Sequence, residues 1–269
     1  MESLYNAIKS NILYLEIDTR VSRDGVLYVN HDAQYNSIDN KKINISKSNS
    51  SYIDSNPHKK GYFILKLDEL LKVFANRQNK EQKLLIDIKD YGFEKEHINL
   101  VNKYNLGNNI IWVSWIPQTL IKLHKISPNT PKVLSYMPLN RFKIINTIIQ
   151  KIKIIKIPFT NIVLIGKNSF DIDLKHYYNL GYQHAYICKE IDAYILNILK
   201  ESKGGICIQK EHYSKDIKAI CIKNNIALLL FTINTKQEYN KISNIKANIL
   251  FSDTLIFNKR FSPYSHTNN

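Results

Sequence analysis

Cysteine is scarce and poorly placed for crosslinking. The three residues, Cys188, Cys207 and Cys221, are odd in number, far apart and set in apolar runs. That excludes a disulfide framework or a zinc knuckle and reads as reduced core thiols. No uninterrupted apolar run approaches the ~20 residues that cross a bilayer. The opening MESLYNAIKSNILY lacks the basic-then-apolar order of a secretory signal, so a cytoplasmic location is expected. Arginine is short as well: five of the 38 basic residues. The net charge of +15 is therefore nearly all lysine, travelling with abundant Asn and Ile, as an AT-rich genome writes by default. Without arginine for bidentate contacts, and without an aromatic-basic stripe, nucleic acid is not the expected partner. The charge suits an anionic small molecule, or transient contact with an anionic membrane. No glycine-rich loop follows the first strand, which counts against a dinucleotide fold. No internal repeat is present.

What is there alternates. Residues 2–11 read as a helix with Leu4, Ala7 and Ile8 on one face. Short β-branched runs follow at 13–18, 26–30, 84–88, 110–114, 132–135, 162–165, 185–188, 206–209, 227–232 and 249–252, most of them separated by amphipathic helix-length segments. Strand-helix alternation predicts a parallel sheet in an α/β protein, with a (β/α)8 TIM-type barrel ahead of an open doubly wound sheet. The runs at 162–165 and 185–188 are surplus to the barrel wall and read as an outer hairpin or as filling for a gap. Residues 36–60, rich in Asn, Ser and Lys, read as a polar loop over one end of the sheet. A single domain over 1–257 with a loose tail at 258–269 is expected.

Chemistry concentrates in LYLEIDTRVSRDGVLYVNHD, residues 13–32. Side chains alternate along a strand, so Leu15 and Ile17 share one face while Glu16 and Asp18 share the other. Two carboxylates on one face repel, and a divalent cation such as Mg²⁺ or Ca²⁺ offsets that directly. In LLIDIKD the same parity sends Asp87 and Lys89 to the face opposite Leu84, Ile86 and Ile88. Asp24-Gly25 is a turn signal, after which an apolar run returns His31 toward the acids.

This pattern resembles the glycerophosphodiester phosphodiesterase family of the phosphodiesterase TIM-barrel superfamily, which also holds the spider-type sphingomyelinases D. The matching residues are Glu16-Ile17-Asp18, Ser22-Arg23-Asp24-Gly25 and His31-Asp32. Weaker similarities continue in order through YFILKLDELLKVF, LLIDIKD, WVSWIPQTLIKLHKISPNTPKVLSY, IALLLFTINTKQEY and ANILFSDT. The resemblance implies metal-assisted hydrolysis of a small phosphodiester to glycerol 3-phosphate and an alcohol. It implies Glu16, Asp18 and Asp87 as ligands of Mg²⁺ or Ca²⁺, Lys89 on the substrate phosphate, His31 as one of two proton-trading histidines and Phe231 as a pocket wall. Asp87 stands where the family usually has Glu. The family's opening strand with its His-Arg-Gly or His-Arg-Ala has no counterpart ahead of ESLYNAIKSNILYLEID. An incomplete barrel of impaired activity is therefore expected. The alternatives are a catalytically inactive barrel that binds phosphate or head groups, and a sphingomyelinase D-like phospholipase.

Overall fold

The structure, a computed structural model, describes residues 2–10, 12–139, 153–158, 160, 162–167, 169, 174 and 183–253. It opens with α1 (Glu2–Lys9), which lays Ile8 on the core and Leu4 and Ala7 beside it. Then follow β1 (Tyr14–Val21), β2 (Leu27–Val29), β3 (Gln34–Asn36), β4 (Lys42–Asn44), α2 (Ser50–Ser55) and α3 (Leu67–Ala75). Next are β5 (Lys83–Ile88), α4 (Glu94–Lys103), β6 (Ile110–Ser114), α5 (Pro117–Ile126), β7 (Lys132–Ser135) and β8 (Met137–Pro138). The remainder is β9 (Ile154–Lys156), β10 (Ile162–Ile165), β11 (Gln183–Cys188), α6 (Ala193–Glu201), β12 (Gly205–Gln209), α7 (Lys215–Asn224), β13 (Ala227–Phe231), α8 (Lys236–Ile242) and β14 (Ile249–Leu250).

The main sheet has eight strands in the order β14-β13-β12-β7-β6-β5-β1-β2. Every neighbouring pair is parallel except β1–β2, where Thr19 faces Val29 and Val21 faces Leu27. Both faces are greasy, as a parallel sheet requires. Leu15, Ile17, Leu84, Ile86, Trp112, Leu134, Ile206 and Leu228 meet the helices in one large core. From the other face Leu85, Val113, Val133, Cys207 and Leu229 pack on one another across five strands, so the sheet is curled into a half-barrel. Losing one of the fully buried side chains, Ile86→Ala for example, costs ~2–5 kcal/mol. Where β7 passes β12 there is no room for a side chain: a Cβ on Gly204 would stand 1.8 Å from the Lys132 carbonyl oxygen. The expected barrel is thus present and open, with β14 and β2 as its edges and no pairing between β14 and β1 among the described residues.

Two regions differ from expectation. Residues 34–64 are a folded cap, not a polar loop. The hairpin β3–β4 and α2 enclose Tyr28, Tyr35, Ile43, Ile45, Ile53 and Ile64 in a small core of their own. Single apolar residues scattered among Asn, Ser and Lys gave no period to read, yet five of them converge on Tyr28 of β2. The surplus strands β10 and β11 are parallel neighbours, not a hairpin, in a second sheet ordered β8-β11-β10-β9. That sheet joins the first where the chain passes from β7, paired with β12, to β8, paired with β11. The tail expected at 258–269 lies outside the described residues.

Candidate active site

Strict alternation in β1 and β5 sends Glu16, Asp18 and Asp87 to the concave face. The two strands are parallel and pair Asp18 with Asp87 and Glu16 with Leu85, which sets the two aspartates side by side. One carboxylate oxygen from each of Glu16, Asp18 and Asp87 lies within 4.8 Å of the others. Lys89, just past the end of β5, reaches between the aspartates: Nζ is 2.8 Å from Asp18 Oδ1 and 2.6 Å from Asp87 Oδ2. One cation therefore faces three acids. Asp87 Oδ1 is buried and has no hydrogen-bond partner, an arrangement that costs free energy unless something supplies the missing contact.

The electrostatics follow. Glu16 is open to water yet surrounded by protein; that enclosure, then the repulsion of Asp18 and Asp87, holds its carboxyl well above its ordinary 4.5. Burial likewise raises Asp87, with Lys89 opposing. Burial alone would lower the Lys89 ammonium, but the two aspartates outweigh it and keep it firmly charged. An all-oxygen set with an unpartnered buried carboxylate oxygen fits a hard divalent cation, and Glu16, Asp18 and Asp87 are the residues that would hold one.

His31 follows β2, one residue beyond Asn30, whose N–H donates to the Asp18 carbonyl at 3.0 Å. Its side chain is 66% exposed, and Nδ1 lies 2.9 Å from Asp32 Oδ1. The His31 backbone thus stands beside the carboxylate strand, and the imidazole has Asp32 as its ring partner, not Glu16, Asp18 or Asp87. Its position is set by Arg20, a residue that sequence reasoning missed. Arg20 Nε and a second guanidinium nitrogen donate to the His31 carbonyl at 3.0 and 2.8 Å, and the third nitrogen donates to Asp90 Oδ1 at 2.9 Å. Asp90 Oδ2 accepts the Val21 N–H at 2.9 Å, and both side chains are almost wholly buried. The signal was in the parity: Arg20 alternates with Glu16 and Asp18.

The turn between β1 and β2 is tied down too. Gly25 adopts φ +85°, which the turn needs and which favours glycine. Ser22 Oγ donates to Asp24 Oδ1 at 2.6 Å, while Asp24 accepts from the Ser50 N–H and hydroxyl at the start of α2. Burial would raise Asp24, but these hydrogen bonds outweigh it and hold the carboxyl at about 2. On the far wall Phe231, at the end of β13, meets Trp115 edge-on with ring centroids 6.1 Å apart. It borders the inner cluster of Leu85, Val113 and Leu229. Two cavities elsewhere, both lined by Asn225, Ile226 and Asn248, contain none of these residues.

Residues 1–134 match the Glycerophosphoryl diester phosphodiesterase family. Solved structures with the same fold include a glycerophosphodiester phosphodiesterase from Parabacteroides distasonis, 13% identical with a TM-score of 0.60, aligned over 94% of this chain and 84% of that one. The glycerophosphodiester phosphodiesterase of Thermotoga maritima is 16% identical with a TM-score of 0.59, over 94% and 86%. A phosphodiesterase of Oleispira antarctica, solved with the product sn-glycerol-3-phosphate, is 16% identical with a TM-score of 0.58, over 94% and 85%. No curated protein matches the sequence.

Proposed function

This chain belongs, through residues 1–134, to the glycerophosphoryl diester phosphodiesterase family, an enzyme family of phosphoric diester hydrolases, and from that premise we propose that it hydrolyses glycerophosphodiesters with the help of a divalent cation. The observation that carries the reading is the β1–β5 corner: three carboxylates converging on one point, the Asp87 oxygen without a partner, and a buried ammonium beside them. When bound, Mg²⁺ or Ca²⁺ supplies Lewis-acid polarisation of the phosphoryl group and neutralises its charge. The chain's own residues do the rest. Lys89 turns from the aspartates toward the substrate's phosphate as a fixed positive charge. His31 moves a proton at its Nε2, with Asp32 holding Nδ1; such positioned proton transfer contributes ~10²–10⁴-fold. Phe231 and Trp115 wall the alcohol side and exclude water. The product sn-glycerol-3-phosphate held by the Oleispira antarctica protein supports glycerol 3-phosphate as a product here.

For the purified chain we expect saturable binding of a divalent cation at Glu16, Asp18 and Asp87, and hydrolysis that needs it. The test is calorimetric titration of the purified chain with Mg²⁺ and with Ca²⁺, beside hydrolysis of glycerophosphocholine before and after chelation. Saturable cation binding with chelator-sensitive hydrolysis supports the reading. No cation binding, or hydrolysis indifferent to the chelator, overturns it. Binding of cation and glycerol 3-phosphate with no hydrolysis at all would leave the head-group-binding barrel in its place.

A further inference from the structure

The cap over residues 34–64 holds an unusual share of the apolar side chains that face water. Among the described residues nine large apolar or aromatic side chains stand exposed, and four of them, Ile38, Tyr52, Tyr62 and Phe63, lie on this one segment. They are neighbours in space. The Ile38 N–H donates to the Pro57 carbonyl at 2.9 Å, and His58 donates to the Tyr62 carbonyl at 2.8 Å. The His58 and Tyr62 rings stack 4.6 Å apart, with Phe63 next in the chain. Tyr52 joins through its carbonyl, which accepts from Asn56 at 2.8 Å just before Pro57. Contiguous exposed apolar surface of this kind marks an interaction site, whereas scattered single residues do not.

Charge selects the occupant. Between residues 36 and 63 there are five lysines, two aspartates and no arginine. Asp54 is taken up by Lys66 at 2.6 Å and by the Tyr28 hydroxyl at 2.8 Å. Asp39 stands 4.0 Å from Lys41. Lys42, Lys59 and Lys60 are exposed and form no ion pair among the described residues. A second copy of this chain would set the same lysines against themselves, and like charge across an interface is costly. Nucleic acid would call for arginine. Exposed aromatic rings and exposed lysines on one segment match the interface of a bilayer: tyrosine settles at head-group depth, Ile and Phe enter the acyl boundary, and Lys meets anionic head groups. We propose that the cap docks the protein on anionic lipid membranes through Ile38, Tyr62 and Phe63, with Lys42, Lys59 and Lys60 against the lipid head groups. The small core beneath makes the patch a formed surface that needs no folding on contact.

The inference does not rest on the hydrolytic reading, since binding is read without turnover. The experiment is co-sedimentation of the full chain with vesicles of phosphatidylcholine alone and of phosphatidylcholine mixed with phosphatidylglycerol. Binding is expected to the mixed vesicles only and to weaken as salt rises. Y62A/F63A and K59E/K60E should each weaken it by about tenfold or more. Tyr194→Ala, an exposed aromatic on α6, should leave it unchanged, and thermal melts of all three variants check that they fold. Equal binding to neutral vesicles, no binding, indifference to both double variants, or a dimer that Y62A/F63A dissociates would each overturn the proposal.

Discussion

At the Arg20–Asp90 corner every group has a counterpart. The three guanidinium nitrogens are all donating, and both Asp90 oxygens accept. At the neighbouring Lys89 corner the ammonium serves two aspartates while a third acid stands by and one Asp87 oxygen is left bare. Both corners lie along the same two strands, but the Arg20–Asp90 pair is sealed from water whereas Glu16 at the other is open to it. A buried ion pair that is complete serves structure, since breaking it strands a charge. One that is incomplete by design of its neighbours is poised to take a further partner. The difference between the corners therefore separates scaffold from chemistry.

The sharpest way to break this comparison is to remove the unpartnered oxygen's owner. Asp87→Asn is expected to lower Mg²⁺ or Ca²⁺ affinity at least about a hundredfold, because the loss of even an outer partner costs ~10–100-fold, and to take hydrolysis to background. Calorimetry and the glycerophosphocholine assay check it. Unchanged cation affinity would show the Lys89 corner to be as self-contained as its neighbour. His31→Gln should act differently: turnover falls ~10²–10⁴-fold while cation affinity holds. A fall in both would mean that the histidine belongs to the cation site.

The complete corner predicts the reverse signature. Arg20→Leu leaves Asp90 buried and unpaired, and is expected to cost ~3–5 kcal/mol of stability in urea unfolding. It also frees the His31 carbonyl, so turnover falls while the cation still binds. Stability within ~1 kcal/mol of the parent would mean that Arg20 is no keystone. Lys89→Met should cost less than Arg20→Leu, because Asp18 keeps some water and added cation can replace the ammonium.

How far these corners were legible depended on the length of the local pattern. The inward placing of Glu16, Asp18, Asp87 and Lys89 followed from alternation alone, and β1 and β5 keep that alternation without a bulge. Arg20 escaped because the strand was expected to stop at Asp18, whereas β1 runs to Val21; extending the alternation by one step would have placed it. The partners of Lys89 were not legible: sequence put an ammonium in the cavity, but only the register of β1 on β5 sets it between two carboxylates. The parallel sheet was legible from strand-helix alternation. The parallel pairing of β10 with β11 was not, because pairing direction is a long-range property that a run of four apolar residues does not encode. Residues 34–64 hid a core because its members come from four separate short elements.

The smallest effect concerns acid, to which a buried histidine behind β1 and the Lys89 corner should respond with opposite sign. Behind β1, His97 Nδ1 donates to the Phe93 carbonyl at 2.7 Å, and Nε2 lies 3.0 Å from Thr19 Oγ1, whose hydroxyl also donates to the Asp87 carbonyl at 3.2 Å. Burial holds the ring down at about 4 against an ordinary 6.5, with the Phe93 bond opposing. A lowered histidine means that the unfolded chain takes up a proton first. Its contribution is therefore complete above pH 6.5 and is lost as pH falls toward 4, to a total of about 3 kcal/mol. His184, buried in β11 and pushed down to about 3, adds to the same slope. Glu16 and Asp87 are raised, so their protonation in the fold relieves repulsion as pH falls, and their contribution is lost as pH rises. Unfolding followed from pH 7 to pH 4 should show the histidine loss partly offset by the carboxylate gain. His97→Gln should flatten the acid limb and Asp87→Asn should steepen it, since it removes a carboxyl that gains by protonation. If the two variants shift the limb in the same direction, His97 and the Lys89 corner do not differ in the way their burial requires.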